Sequence, residues 1–336
     1  MAYFSNNRIT NSMMAGNYLS GMKTNLNNLQ TINNQLTTGK SVSKPSDDPY
    51  KVARSMQLNT DINANKQYDE NIKDTTNFLS STDTTLGQVT SIMQRIRELM
   101  VSSGNAAYKS SERGAISDEV NQRVEELGEV LNTNFDGKYI FGGTKTGSKP
   151  IGITTDPSTG QKGLMYIDKE GNELSPLSTD TNVQNQLKMI GTNLNVEVSQ
   201  GVKMNYSVTA NDVLSFKDAS GNPVDMMKLL TDITTNLNSS DPTASSKVTN
   251  ENLSGVDSVV TNLLKLRAEV GAKENRMDSA QTRNEDENSN MTEILSKTED
   301  IDFTEKTIQY SMAQTVYSAA LQVSAKVLPK TLMDYL

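Results

Sequence analysis

The sequence lacks several residue types on which most enzymes depend. It contains no Cys, so disulfides and thiolate chemistry are excluded, and no His, the usual acid–base residue and commonest metal ligand. It has no Trp, and only 35% of its 336 residues are hydrophobic. Even with Gly added, this share is below the about 45–50% of ordinary globular domains. A thick globular enzyme is therefore disfavoured, whereas narrow helix seams need only about two apolar residues in seven.

Acidic residues are absent before Asp47, although the whole chain carries a net charge of -8. That negative charge argues against nucleic acid as a partner. No apolar run reaches the about 18 residues that would span a membrane, so we expect no membrane insertion. The N-terminus also lacks the continuous apolar segment of a Sec-type signal peptide. These signals alone would place the protein in the cytoplasm.

Apolar residues in the N-terminal part follow helical heptads. A first seam alternates spacings of three and four, with Asn33 in one slot; its apolar members are Leu19, Met22, Leu26, Leu29 and Leu36. Gly39 and Pro45 end this helix, while Asp48 and Pro49 suit the start of the next. The second helix has a residue on the seam every seven positions: Leu58, Asn65, Ile72, Leu79, Leu86, Met93 and Met100. A third helix is predicted up to Leu131.

The C-terminal part returns to the same periodicity. Apolar residues of one long helix lie on a heptad grid: Val256, Val260, Leu263, Val270, Met277, Met291 and Leu295. Polar residues fill the slots between them: Arg267, Glu274, Gln281, Asn284 and Asn288. The last helix carries a stripe made of Ile308, Met312, Val316, Ala319, Val323 and Val327. Such stripes must be buried against each other or against other molecules.

The middle of the chain differs in composition. From Phe135 it is rich in Gly, Pro and Thr, which excludes one long helix. Short strands are predicted on both sides of residues 169–172 and of residues 200–201. A short amphipathic helix is predicted from Met226 to Leu237, and residues 238–247 are predicted to be a linker. We expect this insert to have a core of its own.

These patterns predict a mainly α protein: an elongated helical bundle or coiled coil formed by the N- and C-terminal segments, with a small β-rich inserted domain. Three domains are expected. Residues 1–44 with 303–336 form a terminal coiled-coil assembly domain, residues 45–143 with 248–302 an α-helical bundle, and residues 144–247 the β-rich insert. In a monomer the only expected partner of one terminal stripe is the other, and that single seam is expected to be too small to order both helices. Met residues on the central helices are expected in the core, and those on the terminal helices in intermolecular contacts.

No catalytic, cofactor-binding or metal site is predicted. Gly142, Gly147, Ser148 and Lys149 approach a phosphate loop, but the Ser and Lys stand in the reverse of the required order. The acidic residues at 285–287 do not follow the spacing of a Ca²⁺ loop and have no Gly at the turn. A solvated helix face explains them better. The protein is therefore expected not to be an enzyme.

Specific motifs resemble the flagellin family. Residues 8–19 read RITNSMMAGNYL and residues 34–53 read NQLTTGKSVSKPSDDPYKVA, similar to the family's N-terminal region. Residues 266–278 read LRAEVGAKENRMD, similar to its Leu-Gly-Ala…Asn-Arg motif, with Val270 in the Leu position, and residues 296–305 also match. Two further segments favour the branch that joins hook to filament over filament flagellin. They are GKYIFGGTKTGSKP at residues 137–150 and the closing LMDYL at residues 332–336.

The resemblance implies a structural protein of the bacterial flagellum without cofactors. It implies self-assembly into a ring, with another hook-associated protein and flagellin as neighbours, and an export chaperone. It further implies an extracellular location reached through the flagellar type III channel, without a Sec signal peptide. The terminal stripes would be the assembly interface, disordered in the free chain: Leu19, Met22, Leu26, Leu29, Leu36, Ile308, Met312, Val316, Val323 and Val327. Filament flagellin is the alternative.

Overall fold

Long helices dominate the protein, as the heptads predict. The computed structural model describes residues 11–104, 110–218, 220–239 and 241–327. Its helices are α1 (Asn11–Thr38), α2 (Pro49–Ser103), α3 (Ser110–Leu131), α4 (Thr181–Ile190), α5 (Ala210–Leu214), α6 (Met226–Asn238), α7 (Pro242–Lys247), α8 (Leu253–Glu299) and α9 (Phe303–Val327). A π-helical turn, Val248–Asn252, connects α7 to α8. The predicted mainly α fold with a small sheet-containing insert is confirmed.

The strands form two-stranded antiparallel hairpins. They are β1 (Asn134–Phe135) with β2 (Lys138–Tyr139), β3 (Ile151–Thr155) with β4 (Lys162–Tyr166), β5 (Asn195–Ser199) with β6 (Val202–Asn205), and β7 (Ser215–Lys217) with β8 (Pro223–Asp225). The hairpin predicted around residues 200–201 is confirmed. The one predicted around residues 169–172 is wrong, because β4 pairs with β3. Beyond residue 166 only an isolated bridge joins Ile167 to Glu173.

The long helices begin and end where local chemistry predicts. The N–H groups of Tyr50 and Lys51 donate to Asp48 Oδ1, each at 3.1 Å, so Asp48 caps the start of α2. At the end of α1, Gly39 has φ +71°, a conformation that glycine adopts without the strain of a Cβ. These two features explain why α1 and α2 are separate helices.

Packing groups the described residues into two compact units, and α2 and α8 contribute to both. Unit 1 comprises residues 1–64 and 287–336, and unit 2 comprises residues 65–286. The three-domain division drawn from the sequence stays a prediction.

Unit 2 contains the hydrophobic core. Its cluster of buried apolar residues extends in sequence from Ile72 to Ala280. The central seam residues predicted for α2 are fully buried: Leu79, Leu86, Met93 and Met100 are 0% exposed, and so is Met277 of α8. The expectation that the seam methionines Met93, Met100 and Met277 belong to the core is therefore confirmed.

The insert shares this core, so the expectation that it has a core of its own is wrong. Helix α3 packs against α6, β3 and β4. The contact is close: a Cβ on Gly128 of α3 would lie 2.9 Å from Ile153 Cγ1 and 3.1 Å from Leu164 Cδ2. The segment predicted as a linker is also largely helical, because α7 occupies residues 242–247 and buries Ala244.

Polar residues inside unit 2 connect α2 to α8. Asn65 Nδ2 donates to Asn284 O at 2.7 Å, and Asn284 Nδ2 donates to Asn65 O at 3.0 Å. Both side chains are buried, at 5% and 4% exposure. Further along, Arg267 donates to both carboxylate oxygens of Asp83, at 2.9 and 3.0 Å. From the first pair to the second, residue numbers rise along α2 and fall along α8, so the two helices are antiparallel and the pairs fix their register.

Candidate assembly interface

Unit 1 has a different distribution of apolar side chains from unit 2. Among its described residues none belongs to the core cluster, although Leu58 and Ile62 of α2 are buried. Large apolar side chains are instead exposed by 43% to 82%: Met13, Met14, Leu19, Leu26, Tyr50, Met56, Ile294, Phe303, Ile308, Met312, Val316, Leu321 and Val323. An apolar surface of this kind indicates a site of association.

Two connections of unit 1, before α2 and before α9, lie side by side. Ile301 N donates to Gly39 O at 3.1 Å, and Ser41 N donates to Glu299 O at 2.5 Å. Lys40 Nζ lies 2.5 Å from a carboxylate oxygen of Glu299, a residue that is only 8% exposed. These contacts hold the end of α1 next to the start of α9, so the two terminal helices run antiparallel from a common point.

Carboxylates order both connections. The N–H groups of Thr304 and Glu305 donate to Asp302 Oδ1, at 2.8 and 3.1 Å, and so cap α9. In the loop before α2, hydrogen bonds from the backbone N–H groups of Ser43 and Lys44 lower the pKa of Asp47 below its usual value. The loop is therefore ordered by a charged carboxylate at neutral pH.

The packed seam between α1 and α9 follows heptad spacing on both helices. On α1 the heptad positions that are half-buried are Ala15, Tyr18, Met22, Asn25, Leu29, Ile32 and Leu36, and Gln35 is half-buried beside them. On α9 they are Lys306, Tyr310, Ala313, Tyr317, Ala320 and Ser324, with Gln309 half-buried beside them. The Tyr18 hydroxyl donates to Ala320 O across the pair. The seam consequently contains small and polar residues as well as apolar ones.

The N-terminal stripe predicted from the sequence divides between two faces of α1. Met22, Leu29 and Leu36 lie half-buried in the seam. Leu19 and Leu26 are 52% and 48% exposed, so their predicted pairing with α9 is wrong. The other half of the seam is formed by Tyr18, Asn25 and Ile32. Each of them lies one residue before a predicted seam position, which was Leu19, Leu26 or Asn33.

The C-terminal stripe faces away from α1 altogether. Its described members are exposed: Ile308 by 56%, Met312 by 65%, Val316 by 54% and Val323 by 46%. At 3.6 residues per turn, this stripe lies roughly 120° around the helix from the seam. The expectation that it pairs with the N-terminal stripe is therefore wrong. Val327 is the last residue of α9, and its side chain lies outside the described part of the chain.

A signal for the true seam was present in the sequence. Tyr310 and Tyr317 are seven residues apart, as are Ala313 and Ala320, and the four alternate at spacings of three and four. Small residues at a helix contact allow close approach, but Ala is only weakly hydrophobic and contributes little to a periodic hydrophobic pattern. The more hydrophobic stripe of Ile, Met and Val therefore gives the stronger periodic pattern on α9.

The described residues offer little for other kinds of site. They contain no group of three or more His, Cys, Asp or Glu side chains placed to hold a metal ion. No helix in the described ranges is long and apolar enough to cross a membrane.

Family models identify both ends of the chain. The bacterial flagellin N-terminal helical region matches residues 9–146, and the bacterial flagellin C-terminal helical region matches residues 253–336, together about two thirds of the chain. The chain belongs to the flagellin family. Its relatives are structural flagellar proteins, and this chain is a structural flagellar protein, not an enzyme.

Curated relatives include both flagellins and hook-associated proteins. Flagellar hook-associated protein 3 of Escherichia coli K12 is 26% identical over 95% of each chain. Flagellin of Bacillus subtilis is 24% identical over 96% of this chain and 98% of its own. Flagellin of Clostridium tyrobutyricum is 32% identical, but only over 41% of this chain and 37% of its own.

Solved structures have the same fold. The putative flagellar hook-associated protein of Vibrio parahaemolyticus aligns over 76% of this chain and 100% of its own, with a TM-score of 0.58 and 20% identity. At that identity the likeness is one of fold.

Proposed function

We propose that this chain is the junction protein between hook and filament of a bacterial flagellum, of the hook-associated protein 3 type. It assembles through α1 and α9 into a ring of its own copies, with another hook-associated protein and flagellin as neighbours. The observation that carries the proposal is the exposed stripe of α9, together with Leu19 and Leu26 of α1, in a unit that has little core of its own.

The exposed stripe is large enough to matter energetically. Fully burying a Val, Leu, Ile or Met side chain contributes about 1.5–3 kcal/mol, so burying the exposed half of each contributes roughly 1 kcal/mol. Four described side chains on α9 and two on α1 then give several kcal/mol per subunit before the cost of association. Repeated around a closed ring, contacts of this size support a stable assembly.

The turn after α3 supports the junction type over filament flagellin. This turn contains the motif GKYIFGG at residues 137–143, and its Ile140 and Phe141 are 0% exposed. Gly143 has φ +57°, and a Cβ there would lie 2.4 Å from Ile190 O, so only glycine fits. The LMDYL ending supports the same choice from sequence alone, since residues 332–336 lie outside the described part. The full-length match to B. subtilis flagellin keeps filament flagellin as the alternative.

Gold-labelled antibody on isolated flagella tests the proposal. The junction protein labels one short zone at the distal end of the hook. Label along the whole filament would overturn the junction assignment in favour of filament flagellin. Deleting the gene gives a second readout, because a strain without the junction cannot retain filament subunits and sheds flagellin into the medium.

Export through the flagellar type III channel and an extracellular location are part of the same proposal. An export chaperone would cover the exposed stripe of α9 before assembly, because several solvent-facing Ile, Met and Val side chains favour aggregation in the cell. In a strain whose flagellar export is blocked, the protein should remain in the cell fraction. Its appearance in the medium of such a strain would exclude this export route.

A further inference from the structure

Methionine is distributed unequally between the two units. In unit 2, Met93, Met100, Met226 and Met277 are 0% exposed. In unit 1, Met13, Met14, Met56 and Met312 are between 47% and 65% exposed. The thioethers that a dissolved oxidant reaches most easily therefore lie mainly in the unit that carries the proposed assembly surface.

Met312 has a position that the other exposed methionines do not share. It lies in the middle of the α9 stripe, one helical turn from Ile308 and one from Val316, and it is 65% exposed. Met56 is equally exposed, at 65%, but belongs to α2. The two residues thus offer similar access to an oxidant in different surroundings.

We propose that Met312 is an oxidation site through which peroxides block assembly, an inference that rests on the function proposed above. The thioether sulfur attacks one peroxide oxygen, the O–O bond breaks and an S–O bond forms. The departing hydroxide takes up the proton of the new S–OH group and leaves as water. Sulfur is oxidised and peroxide is reduced by two electrons, giving methionine sulfoxide.

The sulfoxide changes the character of the stripe. It replaces a flexible apolar thioether with a polar group that must be desolvated when the stripe is buried against a neighbouring copy. Without a hydrogen-bond donor on Ile or Val neighbours, that desolvation lowers the affinity of one contact by about tenfold or more. Once Met312 is buried in a ring it is shielded, so the block acts on free subunits.

Full-length chains with matched substitutions test this site. Wild type, Met312→Leu and Met56→Leu are treated with hydrogen peroxide, and oxidation at each methionine is measured by peptide mass spectrometry. Each sample is then added to isolated hooks from a strain that lacks this chain, and the bound protein is counted after sedimentation. Circular dichroism of the same samples checks that the treated chains remain folded.

We expect Met312 and Met56 to be oxidised well before Met277. Relative to its own untreated sample, treated wild type should then lose about tenfold or more in hook binding, and so should treated Met56→Leu. Treated Met312→Leu should bind as much as untreated Met312→Leu does. Methionine sulfoxide reductases should restore the wild type. Equal losses for wild type and Met312→Leu, or full oxidation at Met312 without loss, would overturn the inference. Failure of untreated wild type to bind hooks would instead count against the proposed function.

Discussion

Replacing Asn65 by Leu removes one member of the buried pair that links α2 to α8. The backbone carbonyl of Asn284 then loses its side-chain donor, in a site where both side chains are at most 5% exposed, whereas the side chain of Asn284 keeps its acceptor, the backbone carbonyl of residue 65. Losing one hydrogen bond of this kind costs about 0.5–1.5 kcal/mol. We therefore expect Asn65→Leu, and equally Asn284→Leu, to lower the free energy of unfolding by that amount.

The double variant should lose the sum of the two. Each side chain donates to a backbone carbonyl that Leu also carries, so each substitution removes one hydrogen bond and leaves the other, and the double variant should lose about 1–3 kcal/mol. Urea unfolding of the four proteins, followed by circular dichroism, gives the coupling energy directly. Asn275→Leu, at an exposed position of α8, serves as the control and should change stability little.

Recovery of wild-type stability in the double variant would refute this reasoning. It would mean that the two hydrogen bonds act only as a pair, and that neither Asn stabilises the contact between α2 and α8 on its own.

Three further outcomes are expected. Leu86→Asp places a charge at a 0% exposed position and should lower the free energy of unfolding, measured by thermal unfolding, by more than about 4 kcal/mol. Its control, Leu264→Asp, lies at a 51% exposed position of α8 and should lower it by less than about 1 kcal/mol. Burial, then repulsion from Asp83 and Asp278, raises the pKa of Glu274 above its ordinary value of 4.5. Between pH 4.5 and this raised pKa the folded chain binds more protons than the unfolded chain, so the free energy of unfolding falls as pH rises through that range. Glu274→Gln should therefore raise the free energy of unfolding at neutral pH and leave it unchanged below pH 4.5. A gain in stability confined to low pH would contradict the direction of this pKa shift. Hydrogen exchange of the free chain should protect α1 and α9 far less than α2, α3 and α8; equal protection would contradict the expected disorder of the free ends.

The long helices could be predicted from the sequence because several local signals agree. The seam of α2 repeats every seven residues from Leu58 to Met100, and Asp48 with Pro49 marks its start. Even the polar exception was visible, since Asn65 and Asn284 occupy seam positions. Their mutual hydrogen bonds were not visible, because a single sequence does not show which turn of α8 lies opposite Asn65.

The insert was predicted less well, for a physical reason. A strand pattern identifies strands but not their partners, and the turn at Asp168 closes locally by accepting hydrogen bonds from Asn172 N and Nδ2 at 2.7 and 2.9 Å. That turn draws Ile167 to Glu173 without extending a ladder. Likewise, nothing local shows that Gly128 of α3 receives Ile153 of β3 at close range, so the shared core had to be seen in three dimensions.

The face of the terminal helices was the most consequential error. On α1, Leu29 is flanked by Leu26 on one side and Ile32 on the other, so either flank could have completed the seam. Periodicity cannot decide between two apolar flanks. The partner helix decides, because Ala313 and Ala320 of α9 leave room for the half of α1 that carries Tyr18.

The composition of that seam suggests why the stripe is exposed. If Ile308, Met312 and Val316 faced α1, the single chain would gain stability by burying them, but it would have no large apolar side chains left to bury in an assembly. Ala313 and Ala320 in the seam keep the internal pairing close and its buried area small, while the larger residues stay exposed. The hydrophobic core of the single chain thus lies in unit 2, and under the proposed function the exposed side chains of the terminal helices would supply the free energy of association.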